Sequence, residues 1–242
     1  MTGKFAASYG SPGERPRVAG LARALWPLLV ACCLGGYLVR AALPQPPLTG
    51  SVAGGLLLLL ALLVAVSVAV MRHRFGAFMK GAYGEETVAR ALAFLPAGYH
   101  VFHGYSPTAT GDVSPRRDFD HIVVGPAGIC LVETKSWKGR MTLVGEKLLY
   151  DGKEPDRQPL LQVKDGARIL GEALGDILGR PVDVQAVICS ALNTVDGGRI
   201  VASGVIVCNE RDITAVVREP GGVRLSRAEV DQIVASLRRS KG

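Results

Sequence analysis

Two runs rich in β-branched residues, separated by Gly125-Pro126-Ala127-Gly128, constrain this chain more than any other feature. Ile122, Val123 and Val124 precede the turn, and Ile129, Val132 and Thr134 follow it, so Phe119–Lys138 reads as a β-hairpin. Side chains alternate faces along a strand, which places Glu133 and Lys135 on one side with Ile129 and Leu131. Asp120 heads the first run. Two registers remain open. With Pro126 and Ala127 as a two-residue loop, Asp120 lies opposite Glu133. With Gly128 as a third, left-handed loop residue, His121 faces Glu133 and Asp120 needs a bulge to reach it.

Asp120 and Glu133 converging from neighbouring strands form an oxygen-rich pocket suited to a hard cation such as Mg²⁺ or Mn²⁺. Lys135 beside them suits the holding of an attacking water or of charge developing on a phosphate. That is the minimum equipment for metal-dependent phosphodiester hydrolysis. Taken alone, a Glu-x-Lys is common by chance and equally describes charges flanking each other on an exposed strand.

An ordered set of motifs is more specific. Gly84-Glu85 lies within KGAYGEETVARAL, Asp120-His121-Ile122-Val123-Val124-Gly125 precedes Glu133-Thr134-Lys135, and Pro159-Leu160-Leu161-Gln162 follows. Together these resemble the nuclease-related domain (NERD) family, a branch of the PD-(D/E)XK nuclease-like superfamily. The resemblance covers Met79 to Gln162 well and the remainder to Gly242 more loosely. It implies an α/β fold, a restriction-endonuclease-like sandwich of a mixed central sheet flanked by helices. It further implies Asp120, Glu133 and Glu85 as ligands of Mg²⁺ or Mn²⁺, Lys135 as the catalytic lysine, and nucleic acid, with DNA first, as the substrate. The Gly-Glu pairing selects Glu85 over its neighbour Glu86. Phe119 departs from the smaller aliphatic residue expected before the aspartate, without touching the chemistry.

Gln162 is a candidate contact to a phosphate or base edge. Arg116, Arg117, Lys138 and Arg140 surround the motif and read as phosphate contacts or as solvated loop charges. Trp137 is a candidate for base stacking or for packing at a strand end. His121 points to the opposite face from the site and reads as structural. The alternative to an enzyme is an inactive nuclease fold retained as a tethered binding module.

The chain has 242 residues, 48% of them hydrophobic, and that hydrophobicity is uneven. Ala24–Val39 and Ser51–Met71 are free of charge. A bilayer core takes about 20 residues, so two transmembrane helices are expected at about 23–43 and 51–71, joined by Pro44–Gly50. The first span would extend over Arg40, snorkelling to the headgroups. The net charge of +7 belongs to this region: basic residues exceed acidic ones before the first run, at Arg40, and at Arg72, Arg74 and Lys80, while from Gly81 onward the two signs cancel. By the positive-inside rule this is a topology signal, placing both termini on the cytoplasmic side of a cell membrane, and no evidence for DNA binding.

Residues 1–22 are rich in Gly, Ser, Pro and Arg and read as disordered. The domain itself is expected over 78–242. Its helices fall at Tyr83–Leu95, Pro159–Leu178 and Leu225–Arg239, the last with Ser226 and Glu229 as a capping box. Strands are expected at Tyr99–Tyr105, Val182–Cys189 and Val201–Asn209, with another strand or a hairpin at Met141–Tyr150. The five cysteines contain no C-x-x-C pair and read as small hydrophobes.

Overall fold

The structure, a computed structural model, describes residues 4–42, 50–106, 118–137, 139–155, 158–192, 194–219 and 221–239. In chain order these form β1 (Ala7–Tyr9), α1 (Glu14–Ala42), α2 (Gly50–Leu92), β2 (His100–Tyr105), β3 (Phe119–Gly125) and β4 (Gly128–Lys135). They continue as β5 (Arg140–Val144), β6 (Lys147–Tyr150), α3 (Pro159–Leu178), β7 (Val184–Ser190) and β8 (Thr194–Val195). The last elements are β9 (Arg199–Ala202), β10 (Val205–Asn209), α4 (Ile213–Val216) and α5 (Arg227–Arg239). Two compact units result: the chain up to Gly13 joined with Tyr83 onward, and Glu14–Ala82.

The first unit is an α/β domain on a mixed seven-stranded sheet of order β1-β2-β3-β4-β7-β10-β9. β4, β7 and β10 run parallel at its centre, and β2, β3 and β4 form an antiparallel meander. Strands buried on both faces carry near-continuous apolar runs, as β3, β4 and β7 do. One face packs Phe102, Ile122, Leu131 and Ile188 against Val163 and Leu170 of α3 and Ile233 of α5. The other packs Val101, Val123, Val132 and Cys189 against Val88 and Leu92 at the end of α2. A small second sheet, β6-β5-β8, packs Met141, Leu148 and Val195 into the first of these cores.

Local chemistry accounts for the element ends. α3 opens with Pro159 in its first turn and closes on Gly179 in the left-handed region. At α5 the Ser226 amide donates to Glu229 Oε2 (2.8 Å) and the Glu229 amide to Ser226 Oγ (3.3 Å), the reciprocal capping box. The apolar run Val201–Asn209, expected as one strand, is instead a hairpin. Ser203 and Gly204 both take positive φ (51° and 80°) and turn the chain between Ala202 and Val205. A two-residue turn of this hand fits the twist of the strands it joins.

The N-terminal expectation is also corrected. Residues expected to be disordered include β1, paired in parallel with β2 from Ala7↔His100 to Tyr9↔Phe102. Backbone bonds from Ala6 to Leu95 (2.8 Å) and Ala7 to Tyr99 (3.0 Å) offset the entropy of ordering this segment.

The second unit consists of α1 and the part of α2 up to Ala82. Within it an ideal Cβ on Gly35 would stand 3.5 Å from Leu60, an ordinary contact, whereas one on Gly50 or Gly54 would meet nothing within 4 Å. Both helices overrun the uncharged segments. α1 starts at Glu14 and includes Arg40, and α2 continues through Arg72 and Lys80. Among the described residues no helix is long and apolar enough to cross a membrane. The two-span hairpin expected at 23–43 and 51–71 is therefore not carried by the structure, and most of its expected connection lies outside the described residues.

Candidate active site

β4 is the pivot, pairing with β3 on one side and β7 on the other. The β3–β4 register runs from Gly125↔Gly128 to His121↔Val132, so Pro126 and Ala127 form a two-residue loop and no bulge is needed. Of the two registers left open by the sequence, this is the one that leads Asp120 toward Glu133. Beyond His121 the ladder ends, and the Thr134 amide donates to Asp120 Oδ2 instead (2.7 Å). The aspartate side chain has replaced a backbone partner, which fixes its carboxylate at the strand end.

Glu133 is engaged from two sides. Its Oε1 accepts from Lys135 Nζ at 2.7 Å and from Gln162 Nε2 of α3 at 3.1 Å. Lys135 and Glu133 are mostly buried, with side chains 17% and 13% exposed. Glu85 arrives from the last turns of α2, and its Oε2 accepts from the Gly13 amide at 3.0 Å. The glycine before it is required by packing: an ideal Cβ on Gly84 would stand 1.8 Å from Ser136 Oγ and 3.3 Å from Ala191 Cβ. Gly84 thus lets the helix approach the residue after Lys135 and brings Glu85 with it.

The electrostatics tie these acids together. The Asp120 carboxyl is held well above the usual carboxylate range, first by burial and then by the negative charges of Glu133 and Glu85. The Thr134 amide and Lys135 act in the opposite sense. By donor chemistry, Asp120, Glu133 and Glu85 offer the carboxylate oxygens that a hard divalent cation takes. One oxygen of each is engaged by Thr134, Lys135 or Gly13, and among the described residues no group of three or more His, Cys, Asp or Glu is arranged to hold a metal ion.

Of the residues singled out in the sequence, Asp120, Glu133, Lys135, Gln162 and Glu85 come together. Arg116, Arg117 and Lys138 lie outside the described residues. Arg140 is paired with Asp196 (2.6 Å), and Trp137 packs on the core near Tyr150 with Lys135 Nζ 5.9 Å from its ring centre. His121 is fully buried and structural, facing away from Glu133 as expected.

Two neighbours of the site had no sequence signal. Ser190 of β7 pairs with Lys135, and its Oγ is buried without a hydrogen-bond partner among the described residues. It simply ends an apolar run. His103 bonds His121 through their Nδ1 atoms at 2.7 Å, a pairing visible only once β2 lies beside β3.

The family described as nuclease-related domain matches residues 80–191, a segment that takes in Glu85, Asp120, Glu133, Lys135 and Gln162. That match supports the nuclease-related family. An uncharacterized protein of Bacillus anthracis is 36% identical over 85 residues, covering 34% of this chain and 38% of that protein. The chain therefore spans well under half of that relative's length. No solved structure matches it.

Proposed function

We propose that this protein is a metal-dependent nuclease that hydrolyses phosphodiester bonds in nucleic acid, with DNA as the first substrate to test. What supports the reading is that Glu133 and Glu85 act electrostatically on Asp120, beside Lys135 on a mixed sheet flanked by helices, within the segment that the nuclease-related family matches. Asp120, Glu133 and Glu85 would hold Mg²⁺ or Mn²⁺. When bound, such an ion supplies Lewis-acid polarisation and lowers the pKa of a bound water. With such an ion held by the acids, Lys135 would be free to turn its ammonium from Glu133 toward the substrate phosphate or the attacking water. The orphan hydroxyl of Ser190 on the neighbouring strand offers an acceptor that keeps the freed lysine oriented. Gln162 holds Glu133 from the side of α3. Arg116, Arg117 and Lys138 supply phosphate contacts. The domain's balanced charge implies a local, salt-sensitive grip through few such contacts.

The same reading places the protein at a lipid bilayer, in a cell membrane, with both termini and the nuclease-like domain cytoplasmic. Its support is the uncharged character of Ala24–Val39 and Ser51–Met71 and the basic residues that flank them. A cysteine placed at Thr49 is expected to react with an impermeant reagent from outside the cell, and one placed at Ser240 is not. Reversed labelling overturns the topology.

The deciding experiment is cleavage of labelled DNA and RNA by the full chain with Mg²⁺, with Mn²⁺ and with chelator, beside Asp120→Asn and Glu133→Gln. Metal-dependent cleavage lost in both variants supports the nuclease. Binding of nucleic acid without cleavage under any metal supports the tethered binding module instead.

A further inference from the structure

The segment before α1 reaches the candidate site at two points. β1 is held on the sheet by its pairing with β2, by Tyr9 stacked on Phe102 (ring centres 4.7 Å apart), and by the Arg238 guanidinium 5.3 Å from the Tyr9 ring centre. From this strand the Ser8 hydroxyl meets His103 Nε2 at 2.7 Å. His103 Nδ1 meets His121 Nδ1 at 2.7 Å, and His121 Nε2 meets Thr134 Oγ1 at 3.2 Å. Thr134 in turn gives its amide hydrogen to Asp120. Five residues beyond Ser8, the Gly13 amide donates to Glu85. Two of the three converging acids are therefore tied to one short stretch of chain.

We propose that Phe5–Gly13 is a positioning segment of the carboxylate site. It acts on Asp120 through Ser8, the His103–His121 pair and Thr134, and on Glu85 through the Gly13 amide. This rests on the reading of the acids as the functional centre. The chain of bonds has a definite logic. Two Nδ1 atoms at 2.7 Å require one donor and one acceptor. With both rings neutral, one carries its proton on Nδ1 and the other on Nε2. All bonds then point the same way along the chain, either from Ser8 to Thr134 or in reverse. Both rings are buried, and each of their four nitrogens meets a hydrogen-bonding neighbour in the chain. The arrangement orients Thr134 without placing a charge behind the acids.

The test uses the full chain with ¹⁵N-labelled histidine and backbone. Wild type is expected to show His103 and His121 in opposite tautomers; the same tautomer in both rings overturns the relay. Ser8→Ala is expected to shift the ring nitrogens of both histidines and the Thr134 amide, and Ser8→Thr, which keeps the hydroxyl, to restore them. Glu85→Ala is expected to shift the Gly13 amide. Mn²⁺ affinity, measured by paramagnetic broadening, is expected to fall about 10-fold in Ser8→Ala and recover in Ser8→Thr, the size of effect typical for groups that orient metal ligands. Unchanged His121 and Thr134 signals in Ser8→Ala, with Tyr9 still docked, overturn the proposal. If wild type binds no Mn²⁺ while the signals shift as described, the site's metal reading fails and the positioning role stands.

Discussion

Replacing Lys135 by methionine isolates what the lysine does for the resting site. Methionine keeps an unbranched stem of comparable length and removes the ammonium that sits 2.7 Å from Glu133 Oε1. Breaking a buried ion pair costs about 3–5 kcal/mol, and an exposed one costs close to nothing. With side chains 17% and 13% exposed, and the Gln162 amide still donating to Glu133, the expected loss is about 2–3 kcal/mol. At about 2–4 °C per kcal/mol for a chain of this size, melting should fall by roughly 4–12 °C. Trp137 reports on this region, and a Trp26→Phe background removes the other indole. If the acids are cation ligands, Mg²⁺ should recover the loss in Lys135→Met, because no ammonium competes for Glu133. A cation at about 100 times its Kd returns ~2.7 kcal/mol. Melting within about 1 °C of wild type would refute the neutralising role. A loss that Mg²⁺ does not recover would refute the ligand role.

Three further outcomes are expected. Gly84→Ala should destabilise the domain by about 1–3 kcal/mol through overpacking against Ser136, with Ser136→Ala relieving part of it, as read by urea unfolding. Glu229 is held down to about 2 by the Ser226 amide and then by Arg180, against an ordinary 4.5. Its contribution is therefore complete above about 4.5 and is lost as pH falls through about 2, so acid fraying of α5, followed by amide NMR, should be blunted in Glu229→Gln. Cys130, Cys189 and Cys208 are buried, and burial pushes the Cys130 thiol to about 12. A maleimide should leave Cys130, Cys189 and Cys208 unmodified in the native protein and label all three in denaturant.

Much of the domain was legible because its signals are local. The turn between Val124 and Ile129, Pro159 and Gly179 bounding α3, and the Ser226–Glu229 box each act within a few residues of the feature they create. Of the candidate site, strand alternation sets Glu133 and Lys135 on one face, and the motif order proposes Glu85 and Gln162 beside them. The register needed the folded hairpin, because Gly128 suits both loop lengths. What stayed hidden depends on partners distant in sequence. β1 is three residues in a polar, glycine-rich stretch, and its strand character comes entirely from β2. The break at Ser203–Gly204 was masked by apolar residues on both sides. His103 and Ser190 gain meaning only from the strands beside them.

The placement of β1 also bears on how the domain is made. This strand leaves the ribosome before α1 and α2, and its partner β2 begins only at His100. The ring it presents to Arg238 waits for α5, which follows every strand of the sheet in the chain. Chains usually fold domain by domain as they emerge, and pairings between distant segments form slowly. Here the edge strand must stay unpaired while two helices are completed, until β2 emerges. A pause within α1 or α2 would prolong the exposure of a nascent edge, so arrest sequences placed after Leu92 and after Tyr105 should differ in the protease sensitivity of residues 5–13.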